Sequence, residues 1–161
     1  MSDVRRIAVF GPESTGKTML AEKLAAHFRA PLVREYARER WDEQGGFLGL
    51  EDMLPVAQEQ WRREDAAAAA AESAGAPLIV CDTEALTTML WSDLLYGTTP
   101  EALRRGAEKR CRHYALYLLL DTDRTCPSPR TRSGVFRSRR TARNAVASGA
   151  ARWSGATCRS S

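Results

Sequence analysis

Four short runs rich in apolar residues alternate along the chain with longer segments of mixed polarity. The runs lie at residues 6–10, 31–34, 78–81 and 114–120. Their length and their β-branched or aromatic content predict buried strands. The segments between them predict helices at residues 19–28, 51–74, 84–96 and 100–110.

The alternation of strands and helices indicates an α/β fold, in which a parallel sheet is covered on both faces. Sheets of this kind bind ligands beyond the carboxyl ends of their strands. The polar groups expected at those ends are residues 11–18, Glu35, Asp82 and Asp121. The sequence therefore predicts a single site at one edge of the sheet.

Residues 11–18 carry the most specific signal, because Gly-Pro-Glu-Ser-Thr-Gly-Lys-Thr is a complete phosphate-binding loop between a strand and a helix. The backbone N–H groups of such a loop converge on phosphate oxygens, and the helix dipole adds to the attraction. Lys17 is expected to contact the β- and γ-phosphates, and the Thr18 hydroxyl is expected to ligate Mg²⁺. The predicted nucleotide contacts are Gly11, Glu13, Ser14, Thr15, Gly16, Lys17, Thr18 and Met19. ATP is favoured over GTP, since guanine recognition uses Asn-Lys-x-Asp and the chain has one asparagine, Asn144.

Two carboxylates complete the candidate catalytic set of Lys17, Glu35 and Asp82. Asp82 follows an apolar strand, where P-loop enzymes place the acidic residue that holds Mg²⁺, although it could instead cap the next helix. Glu35 could accept the proton of a substrate hydroxyl, or it could form a surface ion pair with Arg34 or Arg38. Arg38 could neutralise the transferring phosphate or be an ordinary solvated charge.

Aromatic side chains near these groups could contact a substrate ring. Tyr36, Trp41 and Trp91 are candidates for stacking, with core packing the favoured alternative for each. Tyr36 and Arg38 are the predicted substrate contacts.

The composition fits one folded domain, with 161 residues of which 43% are hydrophobic. No apolar run approaches the roughly 20 residues that span a bilayer, and we expect no secretory signal before the first strand. The four cysteines, Cys81, Cys111, Cys126 and Cys158, lack the paired spacing of a zinc site. We expect Cys81 to be a small core residue and the protein to be cytoplasmic, with no membrane partner.

The net charge of +4 combines two unlike segments. Residues 124–161 hold nine of the 24 Lys and Arg residues and none of the 20 Asp and Glu residues. The remaining 15 basic and 20 acidic side chains give residues 1–123 a net charge of −5. Because residues 124–161 also lack Leu, Ile and any periodicity, they are predicted to be a disordered tail behind a P-loop domain at 1–123.

Four motifs together resemble the ATPase or kinase domain of NadR-type proteins: the loop at 11–18, Arg-Glu-Tyr-Ala-Arg-Glu at 34–39, Cys-Asp-Thr-Glu-Ala-Leu-Thr-Thr at 81–88 and Leu-Tyr-Leu-Leu-Leu-Asp-Thr-Asp at 116–123. The resemblance covers about residues 5–123 and implies a three-layer, nucleoside-kinase-like P-loop NTPase fold. That family phosphorylates the 5′-hydroxyl of nicotinamide riboside with ATP and Mg²⁺, which implies a nucleoside-type acceptor here. By analogy with deoxynucleoside kinases, which carry a similar glutamate after strand two, Glu35 would be the base.

Such kinases continue with a lid, a helix, a fifth strand and a last helix, which residues 124–161 do not resemble. A shifted reading frame is the favoured explanation, because a G/C-rich back-translation of residues 124–137 reads as a lid-like sequence in the adjacent frame. The alternative is a basic arm that contacts nucleic acid. We expect ATP binding with impaired phosphoryl transfer to a nucleoside. An ATP-binding or ATPase domain without a small-molecule acceptor is the second hypothesis, and the acceptor and the oligomeric state stay open.

Overall fold

The protein is described here by a computed structural model that covers residues 4–121. The strands and helices follow one another as β1 Arg5–Phe10, α1 Lys17–Phe28, β2 Leu32–Val33, α2 Tyr36–Glu43, α3 Leu50–Ser73, β3 Leu78–Asp82, α4 Ala85–Tyr96, α5 Glu101–Arg110 and β4 Tyr114–Leu119. A 3₁₀ turn, Cys111–His113, leads into β4. Every predicted strand and helix is present within two residues of its expected ends. The sequence patterns did not predict α2, which is short, strongly polar and has no buried residue.

The strands form one parallel sheet in the order β2-β3-β1-β4. In its centre Val9 of β1 pairs with Asp82 of β3, so the carboxyl ends of these strands lie side by side. Val33 of β2 pairs with Cys81, which brings the end of β2 to the same edge. The predicted parallel α/β architecture is confirmed.

Small residues let one helix pack closely on each face of the sheet. On one face, Ala21 and Ala25 of α1 lie against Val9 and Val80. Leu20 and Leu24 are partly buried at the margin of this cluster, whereas Phe28 is 44% exposed. On the opposite face the alanine-rich part of α3 packs against the sheet through a cluster of Val33, Ala68, Ala71, Ile79 and Cys81.

A second part of the core lies beside the sheet, where the first half of α3 meets α4 and α5. Its buried members are Leu48, Met53, Val56, Ala57, Ala85, Leu86, Met89, Leu103 and Ala107. This cluster fixes α4 relative to α3, and both helices then contribute walls to the site. Among residues 4–121, no helix combines the length and apolar character that crossing a bilayer requires. The predicted disordered tail, the missing lid and the shifted frame concern residues that lie outside the described range.

Candidate functional site

The loop at residues 11–18 connects β1 to α1, and its conformation depends on two glycines. Gly11 has φ +149°, and a Cβ there would overlap the carbonyl oxygen of Leu120. Gly16 caps α1 in the left-handed region, with φ 85°. Since side chains are strained or excluded at both positions, glycine is required for the loop to reach the first turn of α1.

Two side chains of the loop, those of Thr15 and Lys17, bond the loop's own backbone. The Thr15 hydroxyl donates to the Pro12 carbonyl oxygen at 2.8 Å, and Lys17 Nζ donates to the same oxygen at 2.7 Å. Burial lowers the pKa of Lys17, while the nearby carboxylates of Glu35 and Asp82 oppose that change. Lys17 therefore lies within the electrostatic reach of both predicted catalytic carboxylates. Met19, another predicted nucleotide contact, is 47% exposed on α1.

Thr18 and Asp82 meet across the gap between α1 and β3. The Thr18 hydroxyl donates to Asp82 Oδ2 at 2.7 Å. Asp82 is only 3% exposed, and its other oxygen, Oδ1, is buried with no hydrogen-bond partner among the described residues. A hydroxyl and a free carboxylate oxygen are hard oxygen donors of the type that Mg²⁺ takes beside substrate phosphates. The residues present fit a magnesium ion.

The alternative role of Asp82 as a helix cap is not what the structure shows. The cap of α4 is Glu84, whose carboxylate accepts the Leu86 N–H at 2.7 Å. Asp82 is instead the last residue of β3, and its carboxylate accepts the Thr18 hydroxyl.

Glu35 lies between β2 and α2, on the same edge of the sheet. Its carboxylate is 3.8 Å from Arg38 Nε, and its side chain is 22% exposed whereas that of Arg38 is 64% exposed. Arg34 pairs with Glu22 instead, at 2.9 Å. Burial raises the pKa of Glu35, with Lys17 and Arg38 opposing the rise and Asp82 and Glu13 adding to it. A glutamate with a raised pKa, beside a lysine, is a suitable proton acceptor.

A cavity of about 130 Å³ opens beside these groups. Its walls come from the phosphate loop, α2, α3 and α4, and are formed by Glu13, Glu35, Ala37, Arg38, Trp41, Leu48, Met53, Val56, Thr83, Thr87, Thr88, Trp91 and Leu95. Trp41 and Trp91 thus line the cavity. Asp121, which ends the β4 segment, is exposed and is not part of this wall.

Tyr36, a predicted substrate contact, does not line this cavity. The Arg63 guanidinium lies over its ring, 4.5 Å from the ring centre. Its backbone N–H donates to Gln60 Oε1 at 3.0 Å. The Tyr36 side chain therefore packs on the α3 side of α2.

Three threonines of the cavity were not singled out from the sequence, although they belong to the motif at residues 81–88. Thr83 has φ 63°, an unusual backbone for a β-branched residue, and its N–H donates to the Val9 carbonyl at 2.9 Å. The Thr87 hydroxyl is buried without a partner among the described residues. Thr88 lies on the next position of α4. Their role in forming the cavity depends on how α4 packs, which a motif alone does not reveal.

Comparisons with known proteins agree with this geometry. A family model described as an AAA domain matches residues 6–153. A crystal structure of NadR protein in complex with NR has a TM-score of 0.64 and 22% identity, and covers 95% of this chain and 43% of that chain. A second NadR structure, in complex with NAD and AMP-PNP, has a TM-score of 0.57 and 24% identity, and covers 73% of this chain and 34% of that chain. No curated protein is similar enough to count as a relative.

The chain spans less than half the length of both NadR chains, and these likenesses establish a shared fold. The predicted P-loop fold, and its similarity to NadR structures, are confirmed. The family match spans the phosphate loop, the sheet and all the described helices. The chain belongs to the AAA domain family, whose P-loop fold it shares with the NadR structures.

Proposed function

We propose that this protein is a P-loop kinase that transfers the γ-phosphate of ATP to a hydroxyl of a nucleoside, of the nicotinamide riboside type. The observation that carries the proposal is the cavity that begins at Glu35 and Glu13, directly beside the phosphate loop. A nucleotide-binding site that only bound ATP has no need of a cavity beside the phosphate loop that is lined by a glutamate of raised pKa.

The phosphate loop binds and orients the donor. The backbone N–H groups of residues 11–18 and the first turn of α1 receive the phosphate oxygens, and Lys17 leaves the Pro12 carbonyl to contact them. Thr18 and Asp82 would hold Mg²⁺, which neutralises charge on the phosphate oxygens when it is bound. Asp82 Oδ1, with no partner among residues 4–121, is the oxygen that is free for this role.

Glu35 is the proposed base. As the acceptor hydroxyl oxygen forms its bond to the γ-phosphorus, the bond from that phosphorus to the β-phosphate oxygen breaks and ADP leaves. The hydroxyl proton passes to the Glu35 carboxylate, whose raised pKa makes it a better acceptor than an exposed glutamate. Arg38, 3.8 Å from Glu35, supplies positive charge at the same wall of the cavity.

The acceptor class rests on the shape and chemistry of the cavity. Trp41 and Trp91 offer aromatic faces, and Met53, Val56 and Leu95 add apolar walls suited to a flat ring. Thr87 offers a buried hydroxyl that still needs a partner, as a ligand amide or hydroxyl would provide. One NadR structure of the same fold is in complex with NR, which supports a riboside in this position.

An assay of ADP release across a panel of nucleosides tests the proposal. We expect slow turnover that depends on a riboside, lost by about 10²–10⁴-fold in Glu35→Gln because the amide cannot take a proton. Glu39→Gln is the matched control, since Glu39 is an exposed residue of the same helix that pairs with Arg63. Turnover that is equal in Glu35→Gln and Glu39→Gln would remove Glu35 from the mechanism.

The AAA domain match also fits a second function, ATP binding or hydrolysis without a small-molecule acceptor. This function predicts ADP release that is the same with and without any riboside. The nucleic-acid alternative concerns the basic residues at 124–161, which lie outside the described range.

A further inference from the structure

The first turn of α2 is stabilised in an unusual way. Glu35 is the N-cap residue of this helix, and its side chain makes no capping hydrogen bond. The first N–H groups of a helix have no partner within the helix, and the N-cap side chain ordinarily satisfies one of them. A glutamate used as a cap would have its carboxylate turned back onto the backbone, away from a substrate.

Gln60 of α3 supplies an acceptor to the first of these N–H groups, one position before those that an N-cap side chain reaches. Its Oε1 accepts the Tyr36 N–H at 3.0 Å, and Tyr36 is the first residue of α2. Gln60 is buried, with 4% exposure, so this bond is shielded from water. Tyr36 N is bonded directly to the carbonyl carbon of Glu35, so holding this N–H also fixes the backbone of Glu35.

Glu64 fixes the orientation of the Gln60 amide. Gln60 Nε2 donates to Glu64 Oε1 at 3.4 Å, while its Oε1 faces the Tyr36 N–H. A flipped amide would place N–H against N–H at one end and oxygen against carboxylate at the other, so only one orientation satisfies both partners. Glu64 is fully buried and is itself held by the Tyr114 hydroxyl at 2.6 Å.

Two arginines complete the anchor. Arg6 of β1 and Arg110 of α5 approach Glu64 at 3.7 Å and 3.9 Å. Through Glu64, Gln60 is linked to β1, β4 and α5 on the face of the sheet opposite α1. These contacts hold Gln60 in place beside the first residue of α2.

We propose that Gln60 is a positioning residue for Glu35: by accepting the Tyr36 N–H it fixes the peptide that joins Glu35 to α2, and with it the direction in which the Glu35 carboxylate faces the phosphate loop. The catalytic meaning of this role rests on the proposed function, in which Glu35 is the base. The charged groups that face the Glu35 carboxylate are Lys17 of α1, Arg38 of α2, Asp82 of β3 and Glu13 of the phosphate loop. Without Gln60, the Tyr36 N–H loses this partner and the Glu35–Tyr36 peptide loses the contact that holds it.

Gln60→Met tests this proposal, because methionine keeps the length and loses the acceptor. Gln58→Met is the matched control, since Gln58 is an exposed glutamine on the same helix. In Gln60→Met we expect faster hydrogen exchange at the Tyr36 amide, and a changed ¹³C chemical shift of the Glu35 carboxyl as it leaves Lys17 and Arg38. We expect kcat to fall at least about tenfold while KM for ATP changes less than about twofold, since a misplaced base impairs the chemical step and leaves the phosphate loop intact. An unchanged Glu35 carboxyl shift in a folded Gln60→Met protein overturns the proposal.

If Gln60→Met does not fold, Gln60→Glu decides the question. A glutamate keeps the acceptor oxygen, and one proton shared with Glu64 replaces the amide donor. The proposal is supported if the Tyr36 amide protection and the Glu35 carboxyl shift both stay as in the wild type or both change, and it is overturned if one changes without the other. Because these two measurements need no turnover, they separate this inference from the kinase proposal. The protein could lack riboside-dependent activity while the Glu35 carboxyl shift still changes in Gln60→Met. That result would refute the kinase proposal and retain the positioning role of Gln60.

Discussion

Glu84 is expected to make the stability of this protein depend on pH, and Glu84→Gln is the substitution that isolates the effect. Glu84 caps α4 through one oxygen, while the other, Oε1, is buried without a partner among the described residues. It is only 3% exposed. Burial raises its pKa from 4.5 to about 8, with the charge of Glu64 adding to the rise and the backbone N–H groups of Leu86 and Thr87 opposing it.

The direction and size of the change in stability with pH follow from proton linkage. Between about pH 4.5 and about pH 8 the folded protein holds a proton on Glu84 that the unfolded chain has released, so the stability falls as the pH rises through this window. The difference of about 3.5 between the two pKa values, multiplied by about 1.36 kcal/mol per pKa unit, gives about 5 kcal/mol at most. Glutamine mimics the protonated acid and does not titrate, so the stability of Glu84→Gln should not fall as the pH rises through this window.

Urea unfolding of both proteins at about pH 5, 7 and 9, in a buffer with a metal chelator, provides the measurement. We expect similar free energies of unfolding near pH 5, and a variant that is more stable by several kcal/mol near pH 9. Glu101→Gln, at an exposed position in the first turn of α5, is the control. Its free energy of unfolding should change with pH as that of the wild type does. Parallel curves for Glu84→Gln as well would show that Glu84 is not held protonated in the folded protein.

Further predictions concern the phosphate loop and its neighbours. Lys17→Ala should abolish nucleotide affinity and leave the fold intact, since Lys17 Nζ bonds only a loop carbonyl in the described structure. Isothermal titration with ATP measures the affinity, and far-UV circular dichroism measures the helix content. Loss of the helical signal would contradict the prediction. Asp82→Asn should retain ATP binding and lose Mg²⁺-dependent turnover, because the amide keeps the shape without the charge; unchanged kinetics would refute a metal role. Gly11→Ala should cost several kcal/mol of stability, because its Cβ would overlap the Leu120 carbonyl, and a thermal melt equal to that of the wild type would contradict the close approach.

The sequence was informative where local chemistry decides the structure. The loop at 11–18 has a fixed pattern, and the runs ending at Asp82 and Leu120 are apolar enough to identify strands without tertiary contacts. Parallel topology then placed Glu35 and Asp82 at one edge, and the structure brings both close to Lys17. Their catalytic and metal roles stay predictions.

The features that escaped prediction depend on contacts between distant segments. Gln60 and Glu64 occupy ordinary polar positions of a long helix, and only the packing of α3 shows that they are buried. Glu84 looks like one more acidic residue after a strand, yet it caps α4 in place of Asp82. The close approach of α1 to the sheet depends on the small residues Ala21 and Ala25, which the sequence did not single out.

The strand order β2-β3-β1 also determines the order of the polar groups along the edge of the sheet. Glu35 follows β2, Asp82 ends β3 and the phosphate loop follows β1, so the three groups stand in that order along one edge. Adjacent strands are about 4.8 Å apart, so the backbones of β2 and β1 are about 10 Å apart across β3. Inserting one residue before Glu35 would advance its Cα by about 3.3 Å and reverse its face. The positions of Glu35, Asp82 and the phosphate loop relative to one another are therefore set by the sheet, and not by the loops that follow its strands.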